Sequence, residues 1–307
     1  MTGPRPPIGF IGLGTMGAPM CRRLTQAGYQ VHVFDLRPDR VETAVKDGAI
    51  AGTSARMVAA EADLLLTSLP RPDDVEAVMR GADGALAALR AGSLWIDLST
   101  NRRELMLALA SEAPAEVAVA DAPVTGAVDG ARHGHLTVFI GGDPDDVARA
   151  RPVLEHLGQV IECGPLGTGT VTKLVTNQLW FIHAAALGEG FAVGMQHGVD
   201  LAVLWKAMKR SVADSFVARH DAPSVFAGHY DASFTLGLCL KDLELTRELA
   251  ASVGADLPMT TTAHEAFAVA TERYGPDAGE MHVAKRIEDD AGLSFRLSGN
   301  WIPPWEQ

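Results

Sequence analysis

Cysteine is scarce in this chain of 307 residues. Cys21, Cys163 and Cys239 are scattered, at spacings that suit neither a metal cluster nor a disulfide framework, and such thiols fit a reducing, cytoplasmic compartment. Positive charge is short as well: 26 Lys and Arg against 38 Asp and Glu leave a formal net charge of −12. That balance argues against nucleic acid as a partner, since binding it needs a basic face to displace counterions. It also obliges an anionic substrate to find a local positive site. Long apolar runs are missing too. The most apolar stretch, residues 174–187, is interrupted by Thr176, Asn177, Gln178 and His183, so it reads as a buried helix and not as a membrane span. The first seven residues lack the apolar core of a signal peptide, and no internal repeat is visible.

With 47% hydrophobic and 21% charged residues the composition is that of an ordinary globular protein, long enough for two domains with a core each. The densest signal lies near the start. An apolar run, Ile8 to Ile11, enters Gly12-Leu13-Gly14-Thr15-Met16-Gly17, a helical stretch follows to Gly28, and a second apolar run, Val31 to Phe34, ends in Asp35. A dinucleotide site needs a tight strand-to-helix turn, a backbone that approaches a pyrophosphate, and close helix-to-strand packing; the three glycines meet those demands in turn. The helix would aim its free N–H groups at the phosphates, and Asp35 would accept hydrogen bonds from both ribose hydroxyls. The acid favours NAD. Arg37, two residues on, could instead hold the 2′-phosphate of NADP, or be a solvated loop arginine.

Beyond Asp35, short apolar runs at 62–68, 93–97, 117–120, 136–141 and 160–163 alternate with amphipathic stretches, the rhythm of a doubly wound parallel sheet. It stops near Gly164-Pro165. From 168 to 197 there is no proline and helical periodicity persists, which predicts one helix roughly 45 Å long. Further helices are predicted at 200–211, 236–253, 261–273 and 281–290. The fold class is therefore α/β: a Rossmann-type doubly wound parallel sheet in a dinucleotide-binding domain, residues 1–165, followed by an all-α domain, residues 166–307, that begins with a long connecting helix. In the irregular tail, Trp301 and Trp305 are expected to pack back on the surface or on a partner subunit.

A nicotinamide enzyme also needs a wall for the ring, an anchor for the substrate and a proton donor or acceptor. Ser68-Leu69-Pro70 and Ser99-Thr100 follow predicted strands at their carboxyl ends, where open α/β sheets bind ligands; ordinary strand punctuation is the other reading. In Asp121-Ala122-Pro123-Val124-Thr125-Gly126-Ala127, exposed N–H groups beside a hydroxyl could hold a carboxylate, or form a simple turn. Lys173 follows Gly167-Thr168-Gly169-Thr170 at the start of the long helix, amid Val171, Leu174 and Val175. Buried there, its pKa would fall toward working pH, as proton transfer requires; otherwise it is a snorkelling lysine. Asn177, four residues on, shares its helical face. Lys241-Asp242 reads alone as a surface ion pair. His133 and His135 could share a strand face, but no third ligand stands near, and no metal is expected.

Together these segments resemble the β-hydroxyacid dehydrogenase family over nearly the whole chain. The resemblance rests on the Gly9-to-Gly17 stretch, on Asp121 to Gly126, on Gly167-Thr168-Gly169 with Lys173 and Asn177, and on Lys241-Asp242-Leu243. It implies metal-independent hydride transfer on short β-hydroxy acids, with Lys173 as general acid/base and Asn177 orienting substrate and lysine. It further implies that the turn at Thr125, Gly126 and Ala127 anchors the substrate carboxylate, that Lys241 reaches the cofactor or substrate, and that the chain forms a homodimer or homotetramer. The sequence departs from the family pattern at Thr125, usually serine, at Ala127, usually glycine, and at Asn101-Arg102-Arg103, where a proline is usual. The expected function is NAD(P)-dependent interconversion of a short β-hydroxy acid and its semialdehyde. The alternatives are an NADPH-dependent reductase of glyoxylate or succinic semialdehyde, an imine reductase, which generally carries another residue in place of Lys173, and a cofactor-binding scaffold without turnover.

Overall fold

A computed structural model describes residues 5–81, 83–299 and 301. The chain divides into two compact units, Met1–Lys173 and Leu174–Gln307. In the first, the strands β1 (Ile8–Ile11), β2 (Val31–Phe34), β3 (Ile50–Ala51), β4 (Leu64–Thr67), β5 (Leu94–Asp97), β6 (Ala118–Asp121), β7 (Val124–Thr125), β8 (Leu136–Gly141) and β9 (Gly158–Gly164) form one sheet. Between them run α1 (Gly17–Gln26), α2 (Pro38–Lys46), α3 (Ala55–Ala60), α4 (Pro72–Arg80), α5 (Arg103–Glu112), α6 (Ala127–His133) and α7 (Pro144–Leu154).

The strand order is β3-β2-β1-β4-β5-β6-β8-β7, with β9 on the other side of β8. From β3 to β6 the pairing is parallel, and the order reverses beside β1, which lies between β2 and β4. A crevice opens at such a reversal, beyond the carboxyl ends of the strands. Strands β1, β4 and β5 are buried along their whole length, as strands covered on both faces by helices must be. One apolar cluster, with Phe10, Met20, Leu24 and Ile96, fills one face of the sheet, and a second, with Val58, Leu65, Trp95 and Met106, fills the other.

The expected parallel sheet is corrected at one edge: β8 runs antiparallel to both β6 and β7. A strand buried on both faces reads as the same apolar run in either direction, so its sense is not written in its own residues. Strands β3 and β7 have two residues each, too few to show a period. Arg103, in the segment Asn101-Arg102-Arg103 that stands where the family pattern has a proline, opens α5 at the first helical position, where proline is most easily accommodated.

The helix α8 (Thr168–Gln196) carries the chain from the first unit into the second, which continues with α9 (Leu201–Met208), a π-helical turn at Val217–Asp221, α10 (Ala222–Ala227), α11 (Leu236–Ser252), α12 (Pro258–Tyr274) and α13 (His282–Asp290). Asp200 and Thr235 cap α9 and α11 through side-chain oxygens. The core of this unit gathers Phe181, Ala184, Leu187 and Phe191 of α8 around Phe226, Leu243, Phe267 and Phe295. Trp301 packs edge-on against Trp205 and Phe226, each about 5.5 Å away; Trp305 lies outside the described residues. Among the described residues no helix is long and apolar enough to cross a membrane.

Candidate active site

The glycine turn after β1 is built on steric demand. Gly12 adopts φ +95°, and a Cβ there would lie 2.3 Å from the Ser68 carbonyl oxygen. A Cβ on Gly17 would lie 1.9 Å from the Gly12 oxygen, so α1 can pack against its own entry turn only through glycine. Gly14 differs: its Cβ would meet only the Arg40 guanidinium, at 3.8 Å. The protein's own packing does not require glycine there, whereas a pyrophosphate laid on the turn does, and on this ground the residues fit a dinucleotide. Thr15 and Met16 complete the turn. Met16, the N-cap of α1, makes no side-chain bond to the helix, and no acid occupies the first turn, so the positive end of the helix dipole is left for a ligand.

Asp35 follows β2. One of its oxygens accepts the Leu13 N–H at 2.7 Å and the other the Arg37 N–H at 2.8 Å, so the carboxylate also ties the glycine turn to the end of β2. The Arg37 guanidinium is committed to Asp39 in a two-pronged ion pair in open solvent. Arg40 stands 3.5 Å from Asp35. The sequence reading missed it; the available signal was a second arginine three residues after Arg37. Leu69, Pro70 and Thr100 lie on the loops that leave the carboxyl ends of β4 and β5, and the Leu69 N–H donates to the Ser99 hydroxyl at 2.9 Å.

Thr125 ends β7, Gly126 follows at φ +122°, and Ala127 is held at φ +58°. A left-handed alanine carries a Cβ penalty of roughly 1 kcal/mol, so the fold imposes here the conformation that the family's glycine would adopt freely. Close by in sequence, Asp121 is 1% exposed, and its oxygens accept the N–H groups of Gly167 at 2.6 Å and Thr170 at 2.5 Å. Burial pushes its carboxyl above the usual range, and these bonds pull it back. Asp121 thereby anchors the first turn of α8, the helix that carries Lys173. Lys173 is 7% exposed.

In the second unit Asn177 donates its amide to Asp242 at 2.7 Å. The Lys241 ammonium lies 2.9 Å from the other oxygen of that carboxylate, which is 2% exposed. The pair expected at the surface is therefore buried and bridged to Asn177. A carboxylate only accepts, so the amide nitrogen of Asn177 must face it. Asp242 was absent from the expected site. Trp180, two turns beyond Lys173 on the same helix, donates its indole N–H to Asp221 at 2.8 Å and meets Phe234 with ring centres 6.3 Å apart.

Two family profiles cover these elements: residues 7–166 match the NAD binding domain of 6-phosphogluconate dehydrogenase, and residues 167–287 the NAD-binding region of NADP-dependent 3-hydroxyisobutyrate dehydrogenase. The 3-hydroxyisobutyrate dehydrogenase of Pseudomonas aeruginosa is 37% identical over 85% of this chain and 91% of its own. The chain belongs to the β-hydroxyacid dehydrogenase family. Another member, the NAD-dependent L-serine dehydrogenase of the same bacterium, is 35% identical over 83% of this chain and 89% of its own. The solved 3-hydroxyisobutyrate dehydrogenase of Mycobacterium tuberculosis, with L-serine, superposes with a TM-score of 0.84 at 30% identity, over 92% of this chain and 99% of that one. As a family member the chain is an NAD(P)-dependent hydroxyacid dehydrogenase.

Proposed function

We propose that this dehydrogenase interconverts a short β-hydroxy acid and its semialdehyde, with Lys173 as the proton-transfer group. The observation that carries the reading is the burial of Lys173 on the helical face it shares with Asn177, whose amide is fixed by the buried Asp242. NAD(P), when bound, takes hydride from the carbinol carbon or returns it. In oxidation the neutral Lys173 amine accepts the hydroxyl proton; in reduction the ammonium gives it back. Asn177, its nitrogen held by Asp242, turns its amide oxygen away from that carboxylate, free to align lysine and hydroxyl. Thr125 and the N–H groups of Gly126 and Ala127 hold the substrate carboxylate, and Lys241, fixed by Asp242, reaches the cofactor or substrate side. Relatives named for 3-hydroxyisobutyrate and for L-serine, both short β-hydroxy acids, support this substrate class.

NAD is the preferred cofactor in this reading, because Asp35 would face a 2′-phosphate with like charge and Arg37 is already paired with Asp39; Arg40 leaves NADP usable. The three free thiols fit a cytoplasmic enzyme. A second copy of the chain would dock on the apolar outer face of α8, giving a homodimer or homotetramer.

The test is a panel of short 2- and 3-hydroxy acids assayed with both cofactors by reduced-nicotinamide absorbance. Lys173→Ala should keep NADH affinity and lose about 10²- to 10⁴-fold in turnover. Equal loss of both would make the lysine structural.

A further inference from the structure

A carboxylate sits in the middle of the sheet, apart from the residues of the proposed site. Asp97 ends β5, between β4 and β6, and is fully buried. One of its oxygens accepts the Thr67 hydroxyl at 2.8 Å and the Ser99 N–H at 3.2 Å; the other accepts the Asn101 amide at 2.9 Å. The Trp95 indole N–H donates to the Thr67 oxygen at 3.0 Å, which commits the Thr67 proton to Asp97. Burial pushes the Asp97 carboxyl upward, and its bonds from Ser99, Asn101 and Thr67 oppose that. Burying an acid among neutral donors is costly, and an apolar residue would fill the space at less expense.

The donors come from two places. Thr67 closes β4 and leads into Ser68-Leu69-Pro70, while Ser99 and Asn101 belong to the loop after β5. Ser99 also joins the loops directly, since its hydroxyl accepts the Leu69 N–H. We propose that Asp97 is a positioning residue for the nicotinamide cofactor: through Thr67, Ser99 and Asn101 it locks the loops after β4 and β5 into one rigid wall beside the dinucleotide turn. The proposal rests on the functional reading above only in needing NAD(P) to lie against those loops.

The experiment uses the full chain, with NADH affinity read from nucleotide fluorescence and steady-state kinetics alongside. Asp97→Asn sets an amide against the Asn101 amide and should weaken NADH binding about tenfold, with KM for the cofactor rising more than kcat falls. The exchanged pair Asp97→Asn with Asn101→Asp restores that bond with its donor on the other side and should recover most of the affinity. If Asp97→Asn does not fold, Ser99→Ala decides: it cuts the tie to Leu69 together with the Ser99 hydroxyl's own bond to Asp97, and should raise the NADH dissociation constant about threefold. Wild-type affinity in folded Asp97→Asn, or an exchanged pair that regains thermal stability but not affinity, overturns the proposal. So does wild-type affinity in Ser99→Ala. A wild-type chain that binds neither NADH nor NADPH removes this inference together with the reading beneath it, whereas wild-type binding with unchanged mutant affinity removes the inference alone.

Discussion

Tyr230 and Asp231 are consecutive residues in the left-handed region, at φ +56° and +46°, and the turn they make closes on Gly279, where a Cβ would lie 2.3 Å from both of their carbonyl oxygens. Asp231 is 3% exposed and accepts the Ser233 N–H at 2.8 Å. Burial pushes its carboxyl up to about 6, with Asp221 raising it further and His220 lowering it. Between its unfolded value near 3.8 and about 6 the folded chain holds a proton that the unfolded chain has released. Stability therefore falls as pH rises through that window and stays lower above it, by about 3 kcal/mol at most. Asp231→Asn keeps the acceptor, suits a left-handed φ and carries no charge. The variant should melt above the wild type at pH 8, and the two curves should converge below pH 4. Parallel curves across that range would rule out Asp231 as the source.

Asp121 matters through the element it starts. Asp121→Ala would leave the N–H groups of Gly167 and Thr170 without their partner, each costing about 1 to 3 kcal/mol. Hydrogen exchange should accelerate in residues 167–173, and turnover should fall with it, because Lys173 rides on that turn; unchanged exchange there would disprove the anchor. Gly167 and Gly169 beside it stand out in the sequence only as the run that precedes Lys173. The structure gives them a packing reason, since a Cβ on Gly169 would lie 2.2 Å from the Phe139 oxygen and one on Gly141 would lie 2.6 Å from an Asp121 oxygen. This contrast marks what a sequence discloses. Strands such as β1 and β4 and the helix α8 are legible because their signal is local: continuous apolar runs, or helical periodicity without proline. The glycine turn with Asp35 is legible because its spacing is fixed by one βαβ unit. The roles of Asp97, Asp121 and Asp242 are not, because each is decided by partners brought close through space by strand order or helix packing. Asp242 and Asn177, for example, stand 65 positions apart.

At the scale of the whole molecule, α8 has more apolar surface than one core can cover. Phe181, Ala184, Leu187 and Phe191 face the core of the second unit. At about 100° per residue, Val175, Leu179, Ala186 and Val193 fall together on the opposite side. All four are exposed, Leu179 at 53% and Val193 at 60%. An exposed apolar stripe is a surface for a partner, and a stripe along one helix can meet its own copy across a two-fold axis, so that the same residues serve both sides. Lys173 and Asn177 lie on the other face, which leaves the proposed chemistry free of the contact. Leu179→Glu with Val193→Glu places four like charges in a two-fold interface. Light scattering on the eluting wild-type chain should give the mass of two or four copies, and on the double variant half that mass. A wild-type monomer would remove the oligomer from the proposed function, and an intact oligomer in the double variant would move the interface away from α8.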